Sequence, residues 1–389
     1  MPDILGPRAI LDHLVSFPTV SRDTNIPLID WVEDYLTSHG ITCHRHKKLD
    51  EPKEALFASI GPDAPGGVVL SGHTDVVPVD GQAWDTDPFT VTEKDGRLYG
   101  RGTCDMKGFD ALAIWAMVAA QQKGGLTRPL QIALSYDEEV GVIGAEPLIK
   151  AMEGVVPKAE AVIVGEPTMM KVVTGHKGGL GFDTHVQGFE VHSSLLPEGV
   201  NAVMMAAKLV DWANQVNADL TARTPEPRAS VFYPPFTTVH VGMIEGGTAH
   251  NITAKDCRFV LTFRVVDGED PEDWARAYMD RVAEVEAEMQ AIRPETKIVV
   301  DRLFDVPGLS PEHEGAAEAL ARRLTGDNAP RVVSYGTEAG HFQQGGYSAV
   351  VCGPGDIAQA HQPNEFLEIA QLDEGQAFMS RLIDHLRTE

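Results

Sequence analysis

Four short apolar runs in this chain end at a histidine or an acid, and that punctuation constrains the fold more than any other feature. Val68–Gly72 meets His73, with Asp75 two residues on, and Leu130–Tyr136 meets Asp137, Glu138 and Glu139. Ala161–Gly165 meets Glu166, and Ala349–Cys352 leads through GPGDIAQA to His361. With Ala55–Ile60, these runs have the length and composition of strands buried on both faces. Helical periodicity lies between several of them. Ile26–His39 places Leu28, Ile29, Val32, Tyr35 and Leu36 on one face and stops at Gly40, while Met106–Gln122 shows a face of Leu112, Trp115, Ala116 and Ala119. The alternation predicts an α/β sheet covered by helices on both sides, with ligands collecting at the carboxyl ends of its strands.

The middle of the chain is ordered differently. Lys177–Gln187 reads as a strand, Asn201–Asn214 as a helix, Thr238–Ile244 and Cys257–Val265 as strands, Pro271–Met289 as a helix and Thr296–Leu303 as a strand. That β-α-β-β-α-β order is the ferredoxin-like pattern. A chain of 389 residues exceeds what one core usually serves. The expectation is therefore a ferredoxin-like α+β domain over 174–304, inserted into a domain made of 1–173 and 305–389.

Composition removes several function classes. A formal net charge of −25, from 57 acidic and 32 basic residues, opposes nucleic-acid binding, and the short basic stretch at Arg45–Lys48 does not reverse it. No apolar run approaches the ~18 residues of a membrane span, and MPDILGPRAI lacks the basic start and apolar stretch of a secretory leader. Cys43, Cys104, Cys257 and Cys352 have no paired spacing, as free thiols in a reducing compartment would. A cytoplasmic protein without nucleic-acid or membrane partners is expected.

Taken singly, the strand-end residues have ordinary explanations. Asp105, which closes the turn GRGTCD before the Met106 helix, serves as a helix N-cap, and Glu138–Glu139 could be a solvated loop. Taken together they do not. Two histidines and several carboxylates at one edge of one sheet form a cluster of like charge that needs cations. Mixed histidine and carboxylate donors suit zinc-like ions, and one bridging carboxylate can hold two of them about 3.5–4 Å apart.

The motifs resemble a known family. SGHTDVVP, the W-x-x-x-P-F of Trp84–Phe89, LYGRGTCDMKG, DEEVG, VGEPT, GFEVHSSLLPEGVNA and GPGDIAQAHQPNEF are similar to the signatures of the co-catalytic zinc metallo-aminoacylases and carboxypeptidases. The resemblance implies a catalytic domain with a mixed sheet flanked by helices (phosphorylase/hydrolase-like) and an inserted lid that also dimerises. It implies two zinc ions per subunit, replaceable by cobalt. His73 and Glu166 would hold one ion, Glu139 and His361 the other, and Asp105 both. Asp75 would accept the second N–H of His73, and Glu138 would be the general base. His192 would serve the site of the other subunit of a homodimer. Asn251, in GGTAHNI, and Arg264 match positions that hold substrate, although Thr262 and Val265 flank Arg264 where relatives carry Asp-x-Arg followed by Pro.

Within that family, SYGTEAGHFQQGG and AHQPNEF most resemble acetylornithine deacetylases, with Glu338 placed to meet a cationic substrate side chain. The expected reaction is removal of the acetyl group from N-acetyl-L-ornithine in arginine biosynthesis. The alternatives are a deacylase or carboxypeptidase for another N-acyl amino acid and, from another class, an inactive binding homologue. The filled ligand and base positions weigh against the last.

Overall fold

The structure is a computed structural model that describes residues 3–388. The chain divides into two compact units: Met1–Gly175 with Leu309–Val332 and Thr337–Glu389, and His176–Gly308 with Val333–Gly336. The second unit thus starts at 176 and ends at 308 where 174 and 304 were expected, and it recruits a short return segment that the sequence does not announce.

The first unit opens with helices α1 (Pro7–Ser16) and α2 (Ile26–Ser38) and strands β1 (Cys43–Lys47), β2 (Glu54–Ile60) and β3 (Val68–His73). Then come α3 (Lys107–Lys123), β4 (Leu130–Ser135), α4 (Ala145–Met152) and β5 (Ala161–Pro167). The second unit supplies β6 (Gly178–Gln187), α5 (Ala202–Ala222), β7 (Thr238–Gly246), β8 (Asp256–Val265), α6 (Pro271–Gln290) and β9 (Lys297–Val306). The chain closes in the first unit with α7 (Ala316–Thr325), α8 (Ala339–Gln344), β10 (Ser348–Gly353) and α9 (Ile369–Leu386).

The main sheet has the order β1-β2-β4-β3-β5-β10. Its last four strands are parallel, β2 pairs antiparallel with β4, and β1 pairs antiparallel with β2, so the sheet is mixed. Every residue of β3, β4 and β5 is buried, which is why their sequences are apolar on both faces rather than alternating. Helices α1, α2, α3, α7 and α9 share one core with Leu70, Ile132 and Ile163, and α4 and α8 pack on the other side. From β3 the chain reaches β4 through α3, then crosses back through α4 to β5 on the far side of β3. That reversal puts a crevice at the carboxyl end of β3.

Two glycines set how closely α3 approaches. A Cβ on Gly72 would lie 2.2 Å from Asp110 Oδ1, and one on Gly165 would lie 1.9 Å from the Phe109 ring. No side chain fits either place. Each glycine immediately precedes a candidate ligand, so the contact that seats the first turn of α3 also draws Asp105 toward His73 and Glu166. A small sheet of Thr92–Lys94, Arg97–Tyr99 and Phe366–Glu368 does the same for the fifth ligand candidate. Its Phe366–Tyr99 pairing joins the chain after His361 to the chain before Asp105.

The second unit is an antiparallel sheet of order β7-β8-β6-β9, with the ferredoxin-like connectivity expected of it. Along β8, Phe259, Leu261 and Phe263 are buried against α5 and α6, while Arg258 and Arg264 face solvent. One covered face gives alternation, as sheets of this kind show.

Candidate metal centre

Parallel strands deliver their carboxyl ends to one edge, and the strand-end residues meet there around Asp105. Its Oδ1 lies 3.1 Å from His73 Nε2, and its Oδ2 lies 3.3 Å from His361 Nε2. Glu166 Oε1 is 3.7 Å from His73 Nε2, and Glu139 Oε2 is 3.0 Å from His361 Nε2. Each Asp105 oxygen therefore faces one histidine–glutamate pair. The Glu138 carboxyl falls on the His73–Glu166 side, its ligand atom within 4.8 Å of theirs. His73, Asp105 and Glu166 are buried, whereas the His361 side chain, 55% exposed, forms the lip.

The charges are unbalanced without cations. Burial, with neighbouring carboxylates, pushes Glu138 and Glu166 well above the usual carboxylate range and raises Glu139 to about 7. Asp105 moves the other way: burial opposes its charge, but hydrogen bonds from His361 and His73 outweigh burial and hold it low. His361, bonded to Asp105 and Glu139, rises to about 10. Burial would lower His73, yet Asp105 and Glu166 lift it well above its ordinary value. Protons here fill the role that metal ions would. A further sign is Glu139 Oε1, a buried oxygen with no hydrogen-bond partner. Two imidazoles and three to four carboxylates are a donor set that fits zinc-like ions.

The backbone is held by carboxylates of its own. The Asp75 carboxylate accepts the N–H of Glu138 (3.1 Å), the N–H of Glu139 (3.3 Å) and the Ser21 hydroxyl (2.7 Å). The expected bond from His73 to that carboxylate shifts to another atom of the same residue. Nδ1 donates to the Asp75 carbonyl at 2.9 Å, with the carboxylate 3.7 Å away. A carbonyl can only accept, so Nδ1 keeps its proton, and Nε2, which donates to Asp105 here, is the nitrogen that would give up its proton to hold an ion.

Two residues with no expected role, Arg101 and Glu365, do similar work. Glu365 Oε1 accepts the N–H groups of Cys104 (2.9 Å) and Asp105 (3.0 Å), and Oε2 pairs with Arg101 at 2.5 Å, both side chains being buried. Arg101 lies inside GRGTCD and Glu365 inside HQPNEF, but neither motif shows that the two side chains meet. Left-handed backbone also concentrates here, at Asp137 (φ +57), Val142 (φ +58) and His361 (φ +63). For a β-branched valine that region is strained, and such strain gathers at functional sites.

Glu338 departs from its expected role. It is fully buried at the start of α8, accepts the Ser71 hydroxyl at 3.1 Å, and burial raises its pKa. It braces β3 and offers no exposed carboxylate to a substrate ammonium. His192, Asn251 and Arg264 lie in the second unit, all exposed. The first two are brought together: His192 bridges Ile252, and Ser193 N donates to the Asn251 carbonyl at 3.0 Å. His192 Nδ1 accepts from Ser194 N at 3.3 Å, leaving Nε2 as the outward nitrogen. Arg264 sits on β8 opposite Thr238 and Gly179.

Residues 69–385 match Peptidase family M20/M25/M40. The chain belongs to that family. This M20 protein is 37% identical over 384 residues to an acetylornithine deacetylase from Myxococcus xanthus, covering 97% of each chain. It is 32% identical to one from Proteus mirabilis, covering 96% of this chain and 95% of that one. Among solved structures it superposes on the M20 metallo-carboxypeptidase Sso-CP2 of Sulfolobus solfataricus with a TM-score of 0.78 at 18% identity, covering 100% of both chains. A Bacillus subtilis M20 protein described as a dinuclear metal binding peptidase gives 0.64 at 14% identity, covering 98% of each. At those identities the likeness establishes the fold, a catalytic domain with an inserted second domain. The relatives and the site together make this M20 member a metal-dependent N-acyl amino-acid amidohydrolase. Among the described residues, no helix is long and apolar enough to cross a membrane.

Proposed function

We propose that the protein is a two-metal deacylase that removes the acetyl group from N-acetyl-L-ornithine, in cytoplasmic arginine biosynthesis. The observation that carries the two-metal part is Asp105, whose two oxygens each face a separate histidine–glutamate pair. His73 and Glu166 would hold one zinc and His361 and Glu139 the other, with cobalt as a substitute. When bound, such ions polarise the amide carbonyl and lower the pKa of water.

The chain's own residues supply the rest. Glu138 takes a proton from the attacking water as its oxygen bonds to the amide carbon, then delivers that proton to the nitrogen as the C–N bond breaks. Acetate and ornithine leave. Burial raises the Glu138 carboxyl in the metal-free protein, and cations held beside it would favour the ionised form that accepts a proton. His192 Nε2 would donate to the developing oxyanion, and Asn251 and Arg264 would hold the substrate carboxylate, Arg264 by its planar fork. In this reading His192 acts across a homodimer formed through the inserted domain. Mixing His192→Ala with Glu138→Gln subunits tests that arrangement. Recovered activity supports it, and no recovery in mixtures shown to exchange subunits places the whole site in one chain.

The similarity to acetylornithine deacetylases over nearly the full chain supports the substrate. The alternative of another N-acyl amino acid draws on one observation: Glu338, expected to meet the ornithine ammonium, is fully buried and accepts the Ser71 hydroxyl. The deciding experiment is kcat/KM across acetylornithine, acetylmethionine, acetylcitrulline, succinyl-diaminopimelate and a glutamyl peptide. Acetylornithine should lead. An uncharged acyl amino acid winning by more than about tenfold, ~1.4 kcal/mol, overturns the ornithine assignment.

A further inference from the structure

The turn that carries Glu138 and Glu139 hangs on a buried carboxylate that the reaction does not use. Asp137 is 1% exposed, and its Oδ1 and Oδ2 accept from Lys53 Nζ at 2.5 Å and Lys48 Nζ at 2.7 Å. Both lysines flank the hairpin turn that joins β1 to β2, which closes with Lys48 N donating to Lys53 O at 2.9 Å. Glu51 in that turn pairs with both, at 2.8 Å and 3.0 Å, so the cluster holds two cations and two anions. Lys53 Nζ also donates to the Ser21 carbonyl, and the Ser21 hydroxyl donates to Asp75. Asp75 in turn accepts the N–H groups of Glu138 and Glu139.

The two glutamates are thus held twice from one hairpin, through Asp137 at their entry and through Ser21 and Asp75 at their own amides. Beyond them the turn closes on itself. Gly141 and Val142 donate to the Glu138 carbonyl at 3.1 Å and 2.8 Å, and Ile143 donates to the Asp137 carbonyl at 3.1 Å. Asp137 is where the chain leaves β4 and turns left-handed, so a rotation there swings the Glu138 carboxyl directly. An aspartate adopts that conformation more readily than most residues, but its buried charge is tolerable only while paired.

We propose that Lys53 and Lys48, acting through Asp137, are positioning residues for the base Glu138. The inference rests on the two-metal deacylase reading above. Displacement of a reacting group by about 1 Å can cost on the order of 10²-fold in rate, so two ammonium groups that never touch substrate can still govern turnover.

The test uses the metal-saturated full chain with Lys48→Met, Lys53→Met and Lys53→Arg. It measures kcat and KM on the best N-acyl amino acid, together with amide hydrogen exchange. Each methionine variant should lower kcat roughly 10- to 100-fold with KM within about twofold, and Lys53→Arg should restore most of it. Exchange should rise across residues 137–144 and stay unchanged across 98–108. A kcat within about twofold of wild type, with only the melting temperature lowered, makes the lysines a stability brace and overturns the proposal. Should Lys53→Met not fold, Lys48→Met carries the test, because that side chain is 21% exposed and partly solvated. Wild-type protein inactive on every N-acyl amino acid would sink the functional reading instead. Unchanged exchange over 137–144 would then still overturn the positioning claim.

Discussion

The two sheets of this protein handle charge in opposite ways. In the second unit, β8 alternates, and its arginines stand in solvent on the uncovered face. In the first unit β3, β4 and β5 are buried on both faces, and charge appears only at or just beyond their ends, as His73, Glu138, Glu139 and Glu166. Surface charge needs no partner. Charge collected at a dry strand edge must be paired, protonated or bound to a cation, and here burial drives Glu138, Glu139 and Glu166 toward protonation when no cation is present. The contrast shows why one sheet carries chemistry and the other presents a surface.

Glu138→Gln should show the largest effect of breaking that contrast. It keeps size and packing but removes the proton acceptor, so kcat should fall roughly 10²–10⁴-fold with metal content near wild type. Loss of metal with unchanged rate per bound ion would make Glu138 a ligand.

The next test sets a buried ion pair against an exposed one. Glu365→Ala strands Arg101 in the core and frees the amides of Cys104 and Asp105. It should cost ~3–5 kcal/mol, or roughly 6–20 °C in melting temperature. Glu272→Ala removes the 2.7 Å partner of Arg302 on the surface of the second unit and should cost about 0–1 kcal/mol. Calorimetry decides, and similar losses for both would erase the distinction.

The smallest effect is in pH. In metal-free protein His361 is raised to about 10, so its stabilisation is complete below its unfolded value near 6.5 and is lost as pH rises through 10. Glu139, raised to about 7, destabilises once ionised: its contribution is lost between its unfolded value near 4.5 and 7. Both make the metal-free protein less stable as pH rises, whereas ions bind better as their ligands lose protons. The rise in melting temperature on adding zinc should therefore be larger at pH 8 than at pH 6. An equal or smaller rise at pH 8 would mean that the cluster is not the zinc site.

Much of the fold is legible in the sequence where burial is uniform. The run Val68–Gly72 marks β3 to within one residue, and Pro271–Met289 marks α6 equally well, because doubly buried strands and one-sided helices leave unmistakable periods. β1, with the sequence CHRHK, has no such pattern and is a strand only because β2 pairs with it. Helices α1, α4, α7, α8 and α9 are not legible in the sequence beside stronger neighbouring signals. In the site, strand ends mark the ligand candidates, but long-range partners leave no local trace. Arg101 and Glu365 are 264 residues apart, and only the fold joins them. Glu338 illustrates the reverse, since a charged residue in a polar-looking segment gives no sign of complete burial until α8 is packed.

Asp105 joins two ion sites rather than capping a helix beside one. Elemental analysis after reconstitution with zinc or cobalt tests it most directly, with hydrolysis followed at each metal ratio. Saturation should come at two ions per chain, with activity rising to that point. Saturation at one ion per chain with full activity would contradict it.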